Sequence, residues 1–230
     1  MKHLLHLMKW DVIHLLRNQM LAVAIFLGLL YYVIIYLIKD LGNVDAFIIL
    51  IIYNDPVITG YSFAGVLLLF ERNQNTLEAM AVSPMQLPLY LWSKAVVLSV
   101  LALIISFCMA LAAHGWCFNF LHFSTGVVGA TLLSCFCGFA LTAPCTGFNG
   151  FIARSIPFFL LFALPFLGLF DIFRSAVWYF IPTYPGLLLI KSAFMEVSKW
   201  DLIYAYGVSI AVVAGSYYYA RYRVKKYMAR

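Results

Sequence analysis

The stretch that decides the fold is "LLLFERNQNTLEAMAVSPMQLPLYLWSK", Leu67–Lys94. Its middle, Phe70–Gln86, is polar: Glu71, Arg72, Asn73, Gln74, Asn75 and Glu78 crowd into two turns of chain. An apolar run of about Ala46–Phe70 precedes it and another of about Leu89–Ala113 follows. Each run exceeds the roughly 20 apolar residues that a helix needs to cross about 30 Å of hydrocarbon. The polar island is therefore a turn at a membrane surface, between two spans.

The composition agrees. The 230 residues are 65% hydrophobic and 10% charged, with mean hydropathy +0.96, whereas a soluble domain is about half apolar and a quarter charged. Lipid is the solvent, and the chain has room for about six spans and no separate soluble domain. The net charge of +6 is not a nucleic-acid signal, because its distribution follows membrane topology. Cys108, Cys117, Cys135, Cys137 and Cys145 sit mostly in apolar runs without metal-ligand spacing and read as small hydrophobes. No cleavable leader is evident.

Working outward, residues 1–18 carry Leu4, Leu5, Met8, Val12, Leu15 and Leu16 at helical spacing, with Lys2, His3, His6, Lys9, His14, Arg17 and Asn18 opposite. This is an amphipathic helix lying in the interface. The spans are expected at about Gln19–Ile38, Ala46–Phe70, Leu89–Ala113, Ser124–Gly147, Ser155–Phe170 and Leu202–Ala220. The second is read as interrupted at Asn54–Pro56, the fourth as kinked near its end by Pro144, and Asn149–Arg154 as a turn. Residues 171–200 are too polar to span and too apolar to be a free loop. Pro182 and Pro185 divide them into short pieces, expected to form an external re-entrant or interfacial hairpin. Residues 221–230 form a basic tail suited to anionic lipid. The fold class is thus all-α membrane protein, one transmembrane domain of six helices.

Lysine and arginine set the orientation. With both termini cytoplasmic, Lys2, Lys9, Arg17, Arg72, Lys94, Arg154, Arg221, Arg223, Lys225, Lys226 and Arg230 lie inside, against Lys39, Arg174, Lys191 and Lys199 outside, eleven to four. That puts the polar island, residues 71–86, in the cytoplasm, and the expected setting is a bacterial plasma membrane.

Within the island, Asn75-x-x-Glu78 starts a helix in capping-box style. Ser83-Pro84 stops it about two turns later and opens the next segment. Leu77, Met80 and Ala81 give the short helix an apolar face. Two readings follow: a plain hairpin, or a handle that docks on a soluble partner and pushes two spans at once.

The stretch Leu67–Val100 resembles the signature of type 2 ABC-transporter permeases, of the form E-R-x-x-G-T-L-E-x-L-x-V-S-P after the second span. Glu71, Arg72, Thr76, Leu77, Glu78, Val82, Ser83, Pro84 and Lys94 fall in place, while Asn75 stands where glycine is usual and Met80 where leucine is common. The N-terminal helix, the hairpin "IPTYPGLLLI" and the six-span layout extend the similarity over most of the chain, nearest the short fluoroquinolone-export-type permeases. The resemblance implies an exporter of amphipathic small molecules (drugs, peptides or lipids). Two separate cytoplasmic ATPase subunits would carry ATP and magnesium, and no cofactor would sit on this chain, which lacks a phosphate-binding G-x-x-x-x-G-K-[ST] loop. A second permease chain would complete the complex. It also implies that the island is a coupling helix, with Glu71, Arg72, Asn75, Thr76, Leu77, Glu78, Met80, Ser83 and Pro84 at the ATPase contact.

Asp55 is the one carboxylate embedded in an apolar run. A mid-membrane charge costs about 2.5–3.5 kcal/mol on insertion scales and needs a reason. Either it caps the helix that Pro56 begins, or, with Tyr53, Asn54 and Tyr61, it contacts a cationic or hydrogen-bonding cargo. The second reading keeps a rival function open, a secondary transporter or channel using Asp55. An intramembrane enzyme lacks the needed motifs, and no catalytic or metal-ligating set is expected.

Overall fold

A computed structural model describes residues 2–40, 42, 44–74, 87–169 and 176–228. The helices are α1 (Lys2–Arg17), α2 (Met20–Ile38), α3 (Asp45–Ile58), α4 (Ala64–Asn73), α5 (Leu87–His114), α6 (Phe120–Thr142), α7 (Phe148–Ala163), α8 (Phe166–Leu169), α9 (Tyr184–Phe194) and α10 (Lys199–Met228). Among the described residues there is no strand, and six helical stretches are long and apolar enough to cross a membrane: α2, α3 with α4, α5, α6, α7 with α8, and α10.

α1 precedes a sharp corner, where Gln19 adopts a left-handed φ of 57° before α2. Leu15 and Asp11 turn into the bundle, while Trp10, Val12 and Leu16 stay exposed, as an interfacial helix requires.

The second span differs from expectation at its centre. It is not interrupted at Asn54–Pro56: helix α3 continues through both, so Asp55 lies mid-helix and caps nothing. Pro56 lacks the N–H that would bond to Ile52, and the irregularity falls one turn later. There Thr59–Phe63 form a single π turn joining α3 to α4, in which the Thr59 N–H is shared between the carbonyls of Asp55 and Pro56. A π turn satisfies the freed backbone inside the helix, which lipid demands. Gly60 and Gly138 let this turn press on α6. A Cβ on Gly60 would lie 2.7 Å from the Thr131 carbonyl oxygen.

Three boundaries also move. α6 ends at Thr142, two residues before Pro144, rather than at Gly147. α7 begins at Phe148 after extended Gly147, so Asn149–Arg154 are helical and not a turn. α10 runs unbroken to Met228, and residues 221–228 of the basic tail are its last two turns. Before it, Ala176–Phe180 form a 3₁₀ turn, and α9 starts with Pro185 in its first turn. At 11 residues α9 is about 16 Å long, too short to span. It is buried from Pro185 to Ile190 among α3, α6 and α10.

α6 is the central post, with 67% of its most apolar stretch buried; α10 lies outermost, with 6%. One core cluster joins Ile49, Ile52, Tyr53, Met109, Phe123 and Ile190, and a second joins Leu67, Leu91, Leu98, Phe136 and Phe139. At the α9 end of the bundle, Tyr179 donates to Asp201 at 2.7 Å, and this hydrogen bond pushes the Tyr179 phenol up to about 12.

Candidate functional site

A buried polar knot closes the bundle at the end where the island attaches. On α5, Tyr90, Ser93 and Lys94 share one helical face. The Lys94 ammonium reaches Glu71 of α4 at 2.5 Å and Asp11 of α1 at 2.8 Å. Ser93 donates to the other oxygen of Asp11 at 2.5 Å, and the Tyr90 hydroxyl donates to Glu71. The Lys94 side chain is 2% exposed. A buried lysine with two carboxylates carries one surplus negative charge, and the two hydroxyl donors spread it. Helices α1, α4 and α5 are thereby fixed together through charge.

Arg72, the next residue, faces the other way. It donates to the carbonyls of Cys145 at 2.5 Å and Tyr227 at 3.2 Å. Arg154 reaches Cys145 Sγ at 3.1 Å, and Arg223 Nε reaches the Ala140 carbonyl at 3.4 Å. Glu71 and Arg72 therefore link α4 to α1, α5, the α6–α7 connection and the end of α10. Both ends of the chain and both flanks of the island meet at one end of the bundle. Glu71 is 7% exposed and acts within the bundle. Asn75, Thr76, Leu77, Glu78, Met80, Ser83 and Pro84 lie outside the described residues.

The mid-membrane group divides by direction. The Tyr53 hydroxyl donates to the Thr183 carbonyl at 2.6 Å, and its ring stacks on Phe162. Tyr61 accepts from Ser155 at 3.2 Å and stacks on Phe158 with centroids 4.2 Å apart. Asp55 instead meets Ser106 of α5 at 3.5 Å and is buried. Tyr53 and Tyr61 thus hold α7 and the segment before α9, whereas Asp55 faces α5. Asn54 is half-buried beside it.

Beside six helices long and apolar enough to span a membrane, residues 2–230 match the sequence model of the fluoroquinolones export permease protein family. The chain belongs to this family. Among curated relatives, a fluoroquinolones export permease protein of Mycobacterium tuberculosis (strain CDC 1551 / Oshkosh) is 30% identical over 203 residues, covering 86% of this chain and 85% of that protein. A fluoroquinolones export permease protein of strain H37Rv matches with the same figures. The family frame makes the chain an integral membrane export permease, a transport protein.

Sequence reading named Glu71, Arg72 and Lys94 but missed Asp11, Tyr90 and Ser93. One signal could have found Asp11: it is the sole carboxylate in a helix otherwise basic or apolar. A lysine placed eight residues into an apolar span needed a counter-ion, and α1 was the nearest unassigned source.

Proposed function

We propose that this permease is the membrane subunit of an ATP-driven exporter that moves amphipathic small molecules, fluoroquinolone-like drugs among them, out of the cytoplasm or inner leaflet. Two ATPase subunits on separate chains bind ATP and magnesium, and a second permease chain completes the transporter. The charge-locked end faces the cytoplasm of a bacterial plasma membrane. Residues 71–86 carry the ATPase contact, through Asn75, Thr76, Leu77, Glu78, Met80, Ser83 and Pro84. Glu71 and Arg72 pass the push inward.

The observation that carries this reading is the Lys94 knot with its neighbour Arg72. The residues entering and leaving the island are bonded to α1, α5, the α6–α7 connection and α10. A force delivered to Glu71, Arg72 or Lys94 reaches four spans and the interfacial helix through these bonds. Such a linkage has use in a protein that takes its energy from a partner. Asp55 is the residue we assign to contact with a cationic cargo, reached when the α3–α5 seam opens.

The test is efflux of a fluoroquinolone from inverted vesicles holding the permease and its genomic-neighbour ATPase. ATP-dependent uptake that disappears when the ATPase is omitted is expected. Uptake driven by an ion gradient without nucleotide would replace this reading with the Asp55 secondary transporter.

A further inference from the structure

α6 and α10 pack along a shared seam, yet a groove of about 650 Å³ runs down one side of it, within the size range of small-molecule sites. No charged side chain lines it. Its two ends differ in chemistry. Near the start of α10 stand Tyr206, Thr125 and Ser209; near the Lys94 end stand Trp92 and Tyr217.

The aromatic end is braced. Trp92 meets Phe136 edge-on at 5.4 Å and Tyr217 at 5.5 Å. The hydroxyl end is partly braced: Tyr206 is held by His122 Nδ1 at 2.6 Å and by Thr125 at 3.3 Å. Ser209 is the exception. Among the described residues its hydroxyl has no hydrogen-bond partner, although Ser216 on the same helix turns back onto the Val213 carbonyl at 2.8 Å. Gly129 makes room for it, since a Cβ there would lie 2.8 Å from Ser209 Oγ. A hydroxyl left unpaired in hydrocarbon is unfavourable. An acyl chain lying in the groove would leave it so.

We propose that this seam is a membrane-facing binding site for an uncharged, planar aromatic amphiphile. Its rings lie against Trp92 and Tyr217, and a carbonyl accepts a hydrogen bond from Ser209. Ser209 and Tyr217 are eight residues apart, about 12 Å of helical rise, which suits an elongated fused-ring molecule. That the site serves export rests on the function proposed above; binding does not depend on it.

The probe is a fluorescent quinolone ethyl ester without a basic amine, uncharged at neutral pH, titrated into the full-length permease in lipid nanodiscs. Ala214→Trp fills the groove from an exposed position on α10, Ser209→Ala removes only the hydroxyl, and Gly215→Trp adds equal bulk where a Cβ meets nothing within 4 Å. Ala214→Trp should weaken binding by about tenfold or more, Ser209→Ala by about fivefold, and Gly215→Trp not at all. A permanently charged quaternary-ammonium analogue should bind about tenfold more weakly than the parent. No binding by the wild-type chain, equal binding by Ala214→Trp, or equal affinity for the charged analogue overturns the site. The vesicle assay separates the two claims. Binding lost but ATP-driven efflux unchanged in Ala214→Trp removes the site from the export path and leaves the exporter. Binding lost in Ala214→Trp without ATP-driven efflux in the wild type defeats the exporter and leaves the site.

Discussion

Gly138 and Tyr61 touch backbone to backbone: a Cβ on Gly138 would lie 2.5 Å from the Tyr61 carbonyl oxygen. Because that oxygen belongs to the π turn, the irregular centre of the second span is seated directly on the bundle's central post. Gly138→Ala should therefore separate α6 from the turn, destabilising the chain by about 1–3 kcal/mol as overpacking does. A thermal melt of the detergent-purified protein checks this. An unchanged midpoint would mean the two helices are not so closely seated.

Lys94→Met should be more damaging, by about 3–5 kcal/mol, because it leaves the Asp11 and Glu71 carboxylates buried without their shared ammonium. The triple change Asp11→Asn, Glu71→Gln, Lys94→Met removes all three charges and should melt closer to wild type than Lys94→Met alone. If the triple variant is the least stable, the knot's value lies in its attraction and not in avoiding stranded charge.

Glu78 and Glu71 should separate by mechanism. Glu78→Arg is expected to cut drug-stimulated ATP hydrolysis of the reconstituted complex by about tenfold while leaving the melting midpoint in place. Glu71→Arg should lower the midpoint as well, since its carboxylate sits at 2.5 Å from Lys94. A cysteine at Thr76 should cross-link to the ATPase; labelling of that cysteine from the external side would end the coupling assignment.

Asp55→Asn should preserve the helix, because the residue lies mid-helix and caps nothing, and its 3.5 Å contact with Ser106 is weak. A stability change under about 1 kcal/mol is expected. Uptake of cationic drugs should fall, and uptake of neutral ones should not. Equal loss for both would remove the charge from cargo recognition.

Much of the fold was legible because lipid leaves few choices. Spans of twenty apolar residues, the proline-split hairpin and the amphipathic start all read directly from composition and period. The misreadings share a cause. Asn54-Asp55-Pro56 looks like a break, and in water it would be one; in a bundle the helix absorbs Pro56 through a π turn that no local pattern announces. Asn149–Arg154 look like a turn because Asn149 and Gly150 are turn residues, yet residues 143–147 supply the corner and α7 is already helical from Phe148. In the candidate site, Glu71, Arg72 and Lys94 were visible as a pattern. Asp11 was not, since its partner is 83 residues away and only packing of α1 on α5 brings them together.

α10 has 30 residues, hence a length of about 45 Å, against roughly 30 Å of hydrocarbon. Such a rod meets a thinner bilayer by tilting, not by shortening. Its last turn is bonded to Arg72 through the Tyr227 carbonyl. A change in the tilt of α10 is therefore felt at the second span, because Arg72 ties the two helices together at that end.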